Sequence, residues 1–339
     1  MKKNIILFGL ACLAAMLFLT AARPPQVSGA ENAGGVSKPP EPRPLYTISN
    51  GKADAEMLWF TDNGKAEPGH LQGPCAVLAL NDNLRLFADT LNQRLVLRNA
   101  SDGKVLKIFN FSQSQEVELK YKPLIISLAD AGNGIIYAVD ESNALIWKID
   151  LDKNWLGPQM KTLALIPLKD KIGQPGKIWL DHNGTLYMAD MPAQHTISFN
   201  PDGTQKFIYH GLTNGIPDRG GFIYHPIYYG DNSARDIEVF DSAGKMVRHA
   251  GRLKFDRPIC YITPIGFDSE DTLYILADSD EKGPLAVRIF NKDEKQVFTD
   301  ITPVSNPVFS SAPYWIGPAG SLEWAEYKNE SIEIYRNKL

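Results

Sequence analysis

Six acids recur along the chain with the regularity of a repeat. They are Asp89, Asp140, Asp190, Asp231, Asp278 and Glu326, spaced by 51, 50, 41, 47 and 48 residues. A ring of carboxylates could hold a divalent cation or supply a general acid. Recurrence in every repeat argues instead for a duty that each repeat performs for itself. Asp side chains accept hydrogen bonds from nearby backbone and so close turns. Each of these acids ends an apolar run: LRLFAD, GIIYAVD, TLYMAD, PIYYGD, TLYILAD and SLEWAE. They are expected to cap hairpin turns, with no metal held by them.

A second set of residues has the chemistry to contact a ligand: the cations Lys122, Lys177 and Arg219, with His225 and the aromatic pair Tyr314 and Trp315. Lys122, Lys177, Arg219 and Tyr314 fall in segments that lead into the first strand of a repeat. Arg219, His225 and Tyr228 lie together in the fourth repeat. Spaced histidines of a zinc site are absent from the sequence, as are a G-x-S-x-G elbow, a phosphate-binding glycine loop and a CxxC pair. Among the six tryptophans, Trp155 and Trp315 are the two expected to stack on a ligand. The others, Trp59, Trp147, Trp179 and Trp324, are expected to wedge neighbouring sheets apart.

The elements that must position these residues are short strands. The stretch 84–105, LRLFADTLNQRLVLRNASDGKV, reads as strand, Asp-Thr turn, strand, Asp-Gly turn and the start of a third strand. Its apolar runs are too short for helices and rich in aliphatic residues, as in strands packed on both faces. Asp102-Gly103 supplies the positive φ of a tight hairpin, and the turn returns as Asp202-Gly203 and Ala243-Gly244. One such meander cannot cover its own faces, so copies must stack. Six copies at this spacing imply an all-β, six-bladed β-propeller of four-stranded blades over residues 45–339. The fourth copy is the weakest, since Pro226 and Gly230 interrupt its second strand. The last copy ends with too little chain for a fourth strand. Residues 45–49 are expected to supply it and close the ring.

The segment Ala88-Asp89-Thr90-Leu91-Asn92-Gln93-Arg94 resembles the ADT-x-N-x-R turn of the NHL-repeat propellers. In the other copies the acid is kept while the Asn and Arg are lost. The resemblance implies a structural role for the repeated acids. Propeller lactonases of the regucalcin type share the six-bladed ring and hold calcium or zinc with a Glu from the first inner strand. Here that strand opens Gln72-Gly73-Pro74-Cys75 without a carboxylate, and Asn183 and Asn200 fall in turns. Propeller lyases that cleave peptidyl-hydroxyglycine use His, Arg and Tyr around zinc, and here only the Arg219, His225 and Tyr228 group compares with them.

Residues 1–30 read as a secretory signal, with Lys2 and Lys3 ahead of an apolar core and Ser28-Gly29-Ala30 at the cleavage position. Left uncleaved, this segment would be the chain's one link to a membrane. Residues 31–44 form a Pro- and Gly-rich tether. Beyond the leader, 32 Lys and Arg face 39 Asp and Glu, a net charge of −7, which argues against nucleic acid as a partner. Cys75 and Cys260 are expected to be small buried residues, and two cysteines leave the fold to rely on its core. The expectation is an exported, periplasmic or extracellular, non-catalytic module. It would bind a protein, peptide or glycan through the face bearing its long loops. The alternative is a calcium- or zinc-dependent lactonase or lyase working at the same channel mouth.

Overall fold

The computed structural model describes residues 43–57, 75–111, 119–153, 155, 160–168, 171–190, 192–213, 215–228, 234–255, 258–259, 261–278, 285–289, 296–300, 314–328 and 331–338. The segments expected as leader and, for the most part, as tether, together with Trp59, Asp231, Cys260 and most of residues 299–312, lie outside them. The architecture below is that of the unit Pro42–Leu339.

The first strand, β1 (Tyr46–Ser49), does not join the sheet that follows it. Blade one is β2 (Ala76–Asn81), β3 (Leu84–Asp89), β4 (Arg94–Asn99) and β5 (Val105–Asn110), paired in that order. Blade two is β6 (Ile125–Gly132), β7 (Ile135–Asp140), β8 (Leu145–Asp150) and β9 (Lys161–Pro167). Blade three is β10 (Pro175–Leu180), β11 (Leu186–Asp190), β12 (His195–Phe199) and β13 (Gln205–His210). Blade four is β14 (Ile216–Pro217), β15 (Ile223–Tyr228), β16 (Ala234–Phe240) and β17 (Met246–Lys254). Blade five is β18 (Tyr261–Phe267), β19 (Leu273–Asp278), β20 (Leu285–Ile289) and β21 (Gln296–Asp300). Blade six is β22 (Tyr314–Ile316), β23 (Ser321–Lys328) and β24 (Ser331–Lys338), completed by β1 in the order β1-β24-β23-β22. The strand pairings within the six sheets are antiparallel, and the blades touch in a closed ring: inner strands β18, β22, β2, β6, β10 and β14 meet in turn, and β18 meets blade four through β15.

Alternation along each strand explains the stacking. In β3, Leu86 and Ala88 face blade two, where they join Trp147 and Ile136 in one apolar cluster. Phe87, of the opposite parity, joins Ile48, Ile332 and Ile334 of blade six. Every sheet is thus apolar on both sides, which is why the sequence shows runs and not simple alternation.

Closure rests on β1, with Tyr46, Thr47, Ile48 and Ser49 opposite Ile334, Glu333, Ile332 and Ser331. The chain then crosses onto blade one, where side chains of β4 and its preceding turn grip the backbone of residues 51–56. Asn92 Nδ2 donates to the Gly51 carbonyl at 3.1 Å, Arg94 Nη2 to Ala53 and Glu56 at 2.9 and 2.8 Å, and Arg98 Nη2 to Ala55 at 2.9 Å. Gly103, at φ 70°, sits against the Tyr46 ring, and a Cβ there would stand 2.3 Å from a ring carbon. Its glycine is required by both the hairpin and the closing strand.

The irregular fourth blade has a specific cause. Strand β14 covers only Ile223 and Tyr224 of β15, while β16 pairs along all of it, Pro226 opposite Ile237. Pro226 has no N–H to give and lies where β14 does not reach, so the strand continues through it.

Candidate functional site

The repeated acids do structural work wherever their side chains are described. Asp89 is fully buried and accepts from Asn92 Nδ2 and Arg94 Nε, both at 2.8 Å. Asp140 accepts from Asn143 Nδ2 at 2.8 Å, Trp147 Nε1 at 3.1 Å and the Leu124 backbone N–H at 3.1 Å. Asn143 stands at the same offset as Asn92, so blade two keeps the Asn that the sequence comparison had counted as lost. Asp190 reaches outward and accepts from the backbone N–H groups of Gly173 and Gln174, at 3.0 and 3.4 Å. The acids therefore cap their own turns in blades one and two, and in blades two and three they also tie down the incoming connection. Glu326 departs from the pattern, since β23 runs two residues past it.

These acid-bearing turns and the connections between blades share one face. Gln93 accepts from the Phe111 N–H at 3.0 Å, Ala144 from Leu168 at 2.8 Å and Gln194 from Gly211 at 3.0 Å. The opposite face carries the turns between inner strands and their neighbours, where a second register of acids closes the turns of blades three, four and five. Asp181 accepts from the Asn183 and Thr185 N–H groups, both at 2.9 Å, and from Tyr187 Oη at 3.2 Å. Asp268 repeats this with Glu270 and Thr272 at 2.9 and 3.0 Å and Tyr274 Oη at 3.0 Å, and Asp218 with Phe222 at 2.9 Å. The pattern is legible as DHNGTLY, DRGGFIY and DSEDTLY.

A central channel of about 260 Å³ runs between the inner strands. Its walls come from β2, β6, β10, β18 and β22, including Leu78, Leu128, Ile178, Trp179, Phe267 and Trp315, and none of its lining residues comes from β14. Among the described residues Lys177 is its one charged lining residue. Among the described residues nothing bonds or pairs with the Lys177 ammonium, and burial pushes it down to about 8. Cys75 lines the same channel, its thiol raised by burial and so held away from the reactive thiolate.

The six sequence-derived ligand residues divide accordingly. Lys177, Tyr314 and Trp315 meet in the channel. Lys122 is exposed on the segment leading to β6. Arg219 is displaced: it is exposed in the β14–β15 turn on the opposite face, because the inner strand ends at Pro217, before Arg219, instead of beginning there. There the Arg219 carbonyl accepts from the His182 N–H at 2.9 Å, and its Nη1 donates to the Ser269 carbonyl at 3.0 Å. His225 is half-buried on β15, 6.5 Å from the Phe240 ring between centroids and on the same side of the sheet as Ile223, at the seam with blade three. Its buried Nδ1 has no hydrogen-bond partner among the described residues, and burial lowers the imidazole to about 4. Trp155 also departs from expectation, lying buried in the cluster between blades one and two. Trp147 and Trp324 are wedges as expected, and Trp179 faces the channel. Among the described residues no group of three or more His, Cys, Asp and Glu is placed to hold a metal ion.

Neither protein-family models nor curated protein sequences yield a match to this chain. Solved structures do. A virginiamycin B lyase from Staphylococcus aureus is similar at 13% identity and TM-score 0.48, over 80% of this chain and 86% of that one. A chain of the nidogen/laminin complex is similar at 17% identity and TM-score 0.47, over 71% and 85%. One from Kuenenia stuttgartiensis hydrazine synthase is similar at 11% identity and TM-score 0.46, over 79% and 80%. These proteins do unrelated things, and what they have in common with this chain is the β-propeller fold.

Proposed function

We propose that this protein is an exported recognition propeller that binds a protein, peptide or glycan through the face carrying its blade connections and acid-bearing turns, without transforming it. One observation carries the reading. Among the described residues, the channel lining brings aliphatic and aromatic side chains together with one cation, Lys177, and no carboxylate or imidazole. Such a wall can bury and orient a ligand but offers no pair of groups for acid–base work. Export follows from the leader at residues 1–30, and the net charge of −7 beyond it turns away polyanions. We also read the chain as an NHL-type propeller, because Asp89, Asn92 and Arg94 form one bonded set in blade one.

The test is selection of binders from a random-peptide display library and a glycan array against the purified chain, followed by mapping. Tyr121, 53% exposed, and Lys122 lie on the segment entering blade two. Tyr121→Ser with Lys122→Glu should weaken the selected ligands at least about tenfold, while Arg219→Glu on the opposite face leaves them unchanged. Ligands that map to Arg219, or that are cleaved on incubation, would overturn the reading.

A further inference from the structure

Lys177 is a half-buried cation on the wall of the channel. An ammonium partly withdrawn from bulk water gains from a counter-charge or from hydrogen-bond acceptors that replace its lost hydration. Neighbouring inner strands solve the equivalent problem for their polar groups, as where the Ile178 N–H donates to Ser127 Oγ at 3.1 Å. Lys177, one residue away, has no such partner among the described residues. It stands near the start of β10, and Leu78, Trp179, Phe267, Tyr314 and Trp315 line the channel with it. A single positive charge beside aliphatic and aromatic side chains is complementary to an anion with an apolar body.

We infer that the channel is a binding site for a small apolar monoanion, its charged end paired with Lys177 and its apolar body seated against Leu78, Leu128, Trp179 and Phe267. The inference rests on the reading of the connection-bearing face as the binding face, and names the chemistry that enters the channel itself. The cavity of about 260 Å³ is below the usual span of drug-sized pockets, about 300–1,000 Å³, which limits the body to one or two rings or a short acyl chain. With one counter-charge present, a second negative charge would be buried unpaired, so monoanions are preferred over polyanions.

The test uses two fluorescent probes with the same rings. 8-Anilinonaphthalene-1-sulfonate carries one negative charge, and N-phenyl-1-naphthylamine carries none. The wild-type chain should bind the sulfonate at one saturable site, at least about tenfold more tightly than the amine. Lys177→Met should remove that preference and leave amine binding within about twofold, whereas Lys177→Arg retains it. Equal sulfonate affinity in wild type and Lys177→Met, or the absence of a one-to-one sulfonate site, would each overturn the inference. A missing sulfonate site with face-mapped peptide or glycan binders intact would remove this inference alone. Binders that map to Arg219, with the sulfonate site intact, would remove the face-level reading alone.

Discussion

The seam between blades one and two is purely apolar in character at its centre, whereas that between blades six and one adds a buried charged network to its apolar cluster. At the first seam Trp147 is fully buried and meets Phe111 edge-on, at 5.3 Å and 63°, among Leu86, Leu95, Leu97 and Phe109. At the second, Glu323 takes four donors: Arg85 Nε and Nη2 at 2.7 and 2.6 Å, Arg336 Nε at 2.7 Å and Trp315 Nε1 at 2.7 Å. The Arg85 and Glu323 side chains are each 1% exposed. Consecutive blades are joined by a few residues of chain that already limit how they meet, so non-directional packing completes the seam. Blades one and six are the two ends of the ring, and only β1 and the segment after it link them. Directional, bidentate bonds fix their register where the chain does not. Such a pair adds little net stability once its desolvation is counted, and the apolar cluster of Ile48, Phe87, Ile332 and Ile334 beside it supplies the driving force.

The contrast can be broken in order of expected effect. Removing residues 45–50 deletes the strand that closes the ring and exposes the edge of β24; the melting temperature should fall sharply, and an unchanged value would rule out closure by β1. Glu323→Ala should cost about 3–5 kcal/mol, because Arg85 is left buried and unpaired. The double variant Arg85→Met, Glu323→Leu should recover most of that loss in chemical denaturation. Trp147→Ala should cost about the same, about 3–5 kcal/mol, but through lost packing, and there is no charge whose removal restores it. If the Arg85 and Glu323 changes are simply additive, the two seams do not differ in kind.

Acid sharpens the comparison further. Burial lowers His225, at the seam of blades three and four, from 6.5 to about 4. Between those values the unfolded chain takes up a proton that the folded chain refuses, so stability is lost as pH falls from 6.5 towards 4. Burial alone would raise the Glu323 carboxyl, but the bonds and charges of Arg85 and Arg336 outweigh it and hold the group below its ordinary value of 4.5. Its contribution is full above 4.5 and is lost only as pH falls below that. The wild type should therefore lose melting temperature from pH 6.5 to 4.5, and His225→Leu should flatten that interval while leaving the fall below pH 4.5. A His225→Leu variant with the wild-type slope would remove His225 from this role.

Much of the ring was legible because the residues that mark it act within one blade. The acid at the end of each second strand, the Asp-Gly turns and the apolar runs are local features. The positive φ at Gly103, Gly203 and Gly244 shows those turns in place. Residues 45–49 were identified by elimination, from the missing fourth strand of the last blade. What failed was registration in the fourth blade. Its inner strand is only Ile216–Pro217, too short to read as a strand beside Gly215 and Pro217. Aligning Asp218 with Asp181 and Asp268, each six residues before a Tyr, would have put Arg219 in the opposite-face turn, level with His182 and Ser269. The special character of Arg94 was visible as the best NHL-type match but not its reason. Its guanidinium holds the backbone of residues 53 and 56, a contact across 41 and 38 positions of sequence. The channel wall was hidden for a related cause: inner-strand residues that line a bore and those that pack a seam are drawn from the same aliphatic and aromatic types.

Cross-linking β1 to β24 addresses closure of the ring most directly. Thr47 and Glu333 are opposite one another in the ladder, and antiparallel partners stand about 4.5–5.5 Å apart at Cα, within disulfide range. In a chain with Cys12, Cys75 and Cys260 replaced by Ala, Thr47→Cys with Glu333→Cys should form an intramolecular disulfide in a monomer, which melts above its own reduced form. Thiols that stay reduced under oxidising conditions, or that join two molecules, would contradict a ring sealed by its own N-terminal strand.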